Sequence, residues 1–154
     1  MGDDVQIDVQ VQDGITPDLN ARLARLADKR PVLEAMGQAV VSLAKRAFTQ
    51  PGIRPAPWAK RKKTYGHPIL MRSKDLWQSL FVGNITNESA TVGTPKTYAA
   101  VQQFGSKKKE GRGSGIPPRP FMPILGTPDS PQWTERAKKA VENAARRQIA
   151  AAMK

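Results

Sequence analysis

The residue types that do chemistry are few here and poorly grouped. His67 is the only histidine, in a Gly66-His67-Pro68 loop, and the chain has no cysteine. Asp75 is the carboxylate nearest to His67 in sequence. A metal centre needs several His, Cys, Asp or Glu ligands, and a hydrolase needs a general base or metal-binding carboxylates. Neither set gathers outside the acidic N-terminus, so the expectation is a protein without enzymatic activity, metal or cofactor. The positive charge is better organised. Residues 54–74 hold seven bases (Arg54, Lys60, Arg61, Lys62, Lys63, Arg72 and Lys74) and no acid. Trp58 and Tyr65 interleave with them, a pattern suited to phosphate contacts with base stacking. The competing reading is a solvated loop whose Trp58 plugs a core gap. Arg119 lies between Pro118 and Pro120, so a stiff backbone aims its guanidinium fork at a carboxylate or, equally, at water.

These residues need elements to hold them. Val5, Ile7, Val9 and Val11 alternate with polar residues, which predicts a half-buried strand ended by Gly14. Thr16-Pro17 reads as a helix start, with Leu19, Leu23 and Leu26 at helical spacing. Pro31 then opens a second helix over 32–49, striped by Leu33, Met36, Val40, Leu43 and Ala47 and closing at Phe48. Residues 50–69, rich in proline and glycine, form a long loop anchored by Trp58. Leu76, Leu80 and Val82 lead into a strand, Asn84 to Ser89 turn, and Ala90 to Gly93 return. Tyr98 to Phe104 is a short helix or an extended bridge. Residues 105–119 form a second long basic loop, flexible over its glycine-rich part 105–115. Phe121-Met122 reads as an edge strand. Ser130-Pro131 opens a last helix over Gln132 to Met153. The expected fold is therefore α+β in one domain, 1–154. A small antiparallel sheet from 5–12, 79–85, 89–94 and 120–125 packs on the helix at 32–49, with extended loops and a C-terminal helix.

Bulk properties agree with a folded, loop-rich domain. The chain has 154 residues, 39% of them hydrophobic, with thirteen prolines and twelve glycines spread through it. No apolar run approaches the ~20 residues of a membrane span. The N-terminus shows no signal peptide, and the absence of cysteine fits a reducing cytoplasm. Formal net charge is +12, which favours acidic or polyanionic partners. Residues 1–18 hold five aspartates and no base. An acidic end and a basic middle suit pairing between copies in a head-to-tail ring or, equally, a solvated surface with charges scattered by chance.

The order of short motifs carries a resemblance. Trp58-Ala59, Ile69-Leu70, Ser73 to Leu76, Ser79-Leu80, Val92-Gly93-Thr94, Tyr98-Ala99, Gln103-Phe104-Gly105 and Pro118-Arg119-Pro120-Phe121 follow one another as in the phage virion morphogenesis family, which this chain resembles over roughly 30–126. That family comprises tail-completion or head–tail joining proteins of tailed phages, Mu-like ones included. The resemblance implies a structural virion protein at the head–tail junction, assembled in the host bacterial cytoplasm. It implies a homo-oligomeric ring, six copies by analogy, that caps the tail tube and meets the head connector or adaptor proteins. DNA in the channel is a further contact, and no membrane is involved. The residues expected at interfaces are Trp58, Lys60, Arg61, Lys62, Lys63, Tyr98, Phe104, Lys107, Lys108, Lys109, Arg119 and Phe121. The four aromatics serve equally as core residues, and the three loop lysines are expected to face solvent in an isolated subunit. The alternative to this assembly role is a basic nucleic-acid-binding module, and a toxin-like nuclease comes third.

Overall fold

The computed structural model describes residues 6–10, 17–63, 65–71, 73–106, 115–127 and 129–152. In chain order the elements are β1 (Gln6–Gln10), α1 (Pro17–Ala24), α2 (Arg30–Ala47), a single 3₁₀ turn (Pro51–Ile53), α3 (Asp75–Ser79), β2 (Phe81–Gly83), β3 (Ser89–Gly93), α4 (Ala99–Phe104), β4 (Ile124–Thr127), β5 (Ser130–Trp133) and α5 (Glu135–Ala152). The class is α+β, as the alternating patterns require. The Thr16 cap, Gly14 and both ends of the first expected strand lie outside the described residues.

Helix α2 organises everything else. Its expected stripe of Leu33, Met36, Val40, Leu43 and Ala47 is buried, joined by Val32, Gly37, Val41 and Ala44. Each fully buried Leu, Met or Val contributes about 1.5–3 kcal/mol by leaving water. The helix begins one residue before Pro31, which sits in the first turn, where its missing N–H costs nothing. The Asp28 carboxylate accepts the Arg30 backbone N–H at 3.1 Å and faces the Arg30 guanidinium, which holds the carboxyl below its ordinary value. The turn before β3 reaches the same helix end, because Asn87 Oδ1 accepts the Lys29 N–H at 2.8 Å. On one side α2 packs against α5 through Ala137, Val141, Ala144, Ala145 and Ile149 of the latter. On the other it covers the sheet. Gly37 lets the two approach closely: a Cβ there would meet Val82 Cγ1 at 2.9 Å.

The sheet has three antiparallel strands in the order β1-β3-β2. β3 is central and nearly all buried, with Ala90 and Val92 in the core. The expected strand 79–85 is shorter than its pattern suggested. Ser79 ends α3, Leu80 is extended, and only Phe81 to Gly83 pair with β3. The Ser79 hydroxyl turns back onto the Leu76 carbonyl and meets the Thr94 hydroxyl at 2.6 Å.

Two further expectations are corrected. Residues 120–125 do not add a fourth strand to this sheet. The Gln103 side chain takes the backbone N–H of Phe121 and Met122 and bonds the carbonyls of Met122 and Ile124. Pro123 has no N–H, so little of this segment is left for a ladder. β4 instead starts at Ile124 and pairs with β5 in a separate two-stranded hairpin. Gly126, at φ +100°, lies within β4 opposite Pro131, where any Cβ would collide with the Ser130 carbonyl. Ser130-Pro131 consequently belongs to β5 and not to a helix start. The last helix begins after Thr134, whose hydroxyl accepts the Ala137 N–H at 3.2 Å, the ordinary N-cap bond.

Candidate functional site

The C-terminal end of α2 builds one wall of the site. Phe48 closes the helix and is fully buried. Trp58 meets it edge to face at 5.8 Å between ring centres, and Phe121 lies against it at 5.5 Å. The Trp58 indole N–H donates to the Pro120 carbonyl at 2.8 Å. Arg54 lies over the Trp58 ring, its Cζ 3.7 Å from the ring centre. The same guanidinium donates to the Ala47 carbonyl at 2.6 Å and the Phe48 carbonyl at 3.3 Å. It thus satisfies carbonyls that the helix end leaves free and sits at the negative pole of the helix dipole. Burial pulls the Arg54 pKa down from its ordinary value, but an arginine so placed keeps its charge. Trp58 and Phe121 are therefore core aromatics that fix the loop 54–59 to the segment 118–121.

Helix α4 supplies the second anchor. Tyr98 sits at its start, and the buried positions of the helix are Ala99 and Gln103, one turn apart. Gln103 is the residue that sequence reasoning treated only as part of a motif. It is 3% exposed and its amide makes four backbone bonds. A polar residue on the apolar face of a short helix was the available signal, because burial there demands full hydrogen bonding. Arg119 is drawn into the same frame. Its N–H donates to the Gln102 carbonyl at 2.7 Å, and its Nε to the Ala59 carbonyl at 3.1 Å. Gly105 ends α4 at φ +77°, where a Cβ would meet the Ile116 carbonyl at 2.8 Å. Ser106 and Ile116 exchange two hydrogen bonds beside it, of 2.8 and 3.0 Å, and close the neck of the second long loop. Lys107, Lys108 and Lys109 lie outside the described residues.

Two surfaces sit on this frame. One is a small, mostly apolar cup of about 200 Å³, lined by Ala56, Pro57, Phe104, Pro118, Pro120, Ile124 and Leu125 together with Gln103 and Gly126. Phe104 is half-buried in it, whereas Leu125 is 43% exposed and the nearby Ile116 40%. The other is basic. Lys60, Lys62 and Lys63 are exposed, while Arg61 is half-buried and donates to the His67 carbonyl at 2.7 Å. Tyr65 stacks on His67 at 5.4 Å between ring centres, tilted by 20°. The structure thus separates Trp58, in the core, from Tyr65, at the surface. Tyr98 is largely exposed; its partial burial and then the Asp75 charge raise its pKa from the ordinary value. Among the described residues, no three of His, Asp and Glu stand close enough to hold a metal ion. No helix among them is long and apolar enough to cross a membrane.

Comparison with known proteins agrees with the motif order. The model of the phage virion morphogenesis family matches residues 10–150. A curated relative, the "Mu-like prophage FluMu G protein 2" of Haemophilus influenzae, is 33% identical over 118 residues, which span 77% of this chain and 83% of the relative. No solved structure matches significantly. The match covers the α2 stripe, the aromatic frame, Gln103 and the proline segment together, and the chain belongs to the phage virion morphogenesis family.

Proposed function

We propose that this subunit completes the phage tail. Several copies, six by the family analogy, assemble into a ring that caps the tail tube and meets the head connector or adaptor proteins. The observation that carries this reading is the apolar cup on its rigid frame. Exposed Leu125 lines a pocket whose walls are fixed by Gln103, Trp58 and Arg119, and exposed Ile116 lies two residues before the lining Pro118. A preformed apolar site with a firm backbone suits protein–protein contact, since little is left to order on binding. The resident chemistry fits assembly rather than turnover. The conspicuous polar groups (Gln103, Arg54, Arg119 and the Trp58 indole) all bond the chain's own backbone.

Light scattering on the purified subunit tests the ring, and electron cryo-microscopy of the neck tests its place. The expected results are an oligomer of defined mass and density for this fold between tail tube and connector. A strictly monomeric protein at high concentration, together with tails that join heads without it, would overturn the proposal.

A further inference from the structure

The basic loop carries a feature that protein–protein joining does not use. Tyr65 is 51% exposed, yet it is not a loose surface side chain. One flank stacks on the His67 ring, and the Arg61 guanidinium lies 5.4 Å from its centre. Arg61 is itself tied to the His67 carbonyl. His67 is tied in turn, because its Nδ1 stands 2.9 Å from the Pro68 carbonyl, which requires the proton on that nitrogen. The result is a short aromatic stack locked in place at the surface of a loop. Lys60, Lys62 and Lys63 are exposed beside it in sequence, and none of them makes an ion pair among the described residues. From residue 50 to residue 74 the chain has no carboxylate at all.

We propose that Lys60, Lys62, Lys63, Tyr65 and His67 form a binding platform for single-stranded nucleic acid. The Tyr65–His67 stack receives an unpaired base, and Lys60, Lys62 and Lys63 meet the phosphates that flank it. Aromatic stacking with neighbouring cations is the general means by which proteins hold single strands without reading sequence. An acidic protein surface would satisfy the lysines but would leave the ordered aromatic pair unexplained. A duplex would satisfy the phosphate contacts only, because its bases already stack on one another. The inference is independent of the ring.

Fluorescence anisotropy with an end-labelled oligothymidylate, and with a blunt duplex of equal length, decides the matter across a salt series. The single strand should bind more tightly than the duplex. Tyr65→Ala should weaken single-strand binding by about 10-fold or more, with the salt slope unchanged. Changing Lys60, Lys62 and Lys63 together to glutamine should lower that slope by about 2, at roughly 0.7 per lost phosphate contact. Tyr98→Ala, the other exposed tyrosine, is the control and should change nothing. All of these side chains are exposed, and circular dichroism checks that each variant folds. Equal affinity for strand and duplex, or an unaffected Tyr65→Ala variant, would overturn the platform. No binding to either probe would also overturn it and would assign the lysines to an acidic protein partner.

Discussion

The Trp58 indole N–H and the Pro120 carbonyl meet at 2.8 Å across 62 residues of sequence. This bond joins the two long loops that frame the apolar cup. Pro57, next to Trp58 in sequence, the acceptor residue Pro120 and Pro118 are all cup residues. Loosening the pair therefore affects the fold and the surface at once.

Trp58→Ala should destabilise the subunit by about 3–5 kcal/mol, since it removes a buried aromatic in contact with Phe48 and uncovers Arg54. Trp58→Phe should cost less, on the order of 1–3 kcal/mol, chiefly by leaving the Pro120 carbonyl unpaired. Urea unfolding followed by circular dichroism measures both. Equal costs for the two variants would mean that the N–H matters and the ring does not.

Gln103 makes a sharper case. Gln103→Leu keeps much of the volume but strands the N–H groups of Phe121 and Met122, for a cost of about 2–6 kcal/mol. Gln103→Glu keeps the acceptor while losing the amide donor and burying a charge. Its folded-state pKa should be raised, because burial disfavours the carboxylate. The sign follows from linkage. Its stability should be greatest below the unfolded glutamate value of ~4.3 and fall as pH rises through the higher folded value. A Gln103→Glu variant equally stable at pH 4 and pH 8, against a wild type that does not change, would contradict this account.

The same comparison shows what could be read in the sequence. The α2 stripe was legible because eighteen residues repeat the helical period several times, and burial follows that period. β3 and the antiparallel return were legible from a short apolar run after a turn. The β4–β5 hairpin was not. Ser130-Pro131 has the composition of a helix start, and only the pairing with residues 126–127 reveals it as a strand. The aromatic frame was equally hidden, since Trp58 and Arg119 find backbone partners about sixty residues away and no local pattern encodes such a match. The motif Gln103-Phe104-Gly105 was visible as a string. Its meaning, a buried amide, an apolar cup wall and a left-handed stop, required the fold.

Tyr98 should titrate above its ordinary value near 10.0, from burial first and from the Asp75 charge second. Because the folded pKa is raised, the contribution to stability is complete below that ordinary value and is lost as pH rises through the folded one. Absorbance at the tyrosinate band, with Tyr65→Phe used to isolate Tyr98, should show the raised midpoint. Asp75→Asn should bring it partly back. A midpoint unmoved by Asp75→Asn would leave burial as the whole cause.

The cup itself gives the most direct test of assembly. Leu125 and Ile116 are among the large apolar side chains that the subunit exposes; Leu125 lines the cup, and Ile116 lies two residues before the cup residue Pro118. Leu125→Asp and Ile116→Asp should leave unfolding midpoints nearly unchanged, because each side chain already meets water in the free subunit. Covering one such residue in an interface is worth up to about 1.5–3 kcal/mol, which corresponds to a factor of about 10 to 150 in one contact. A ring repeats that contact at every junction, so even the low figure should shift the mass seen by light scattering from oligomer to monomer. The two faces of a head-to-tail contact differ. A cup variant mixed with wild type should therefore end growing assemblies at its damaged face and lower the yield of closed rings. If the wild type forms rings and both variants form them equally well, the cup is not the subunit interface and faces tail tube or connector instead. In that case the same variants should assemble rings that fail to join tails to filled heads.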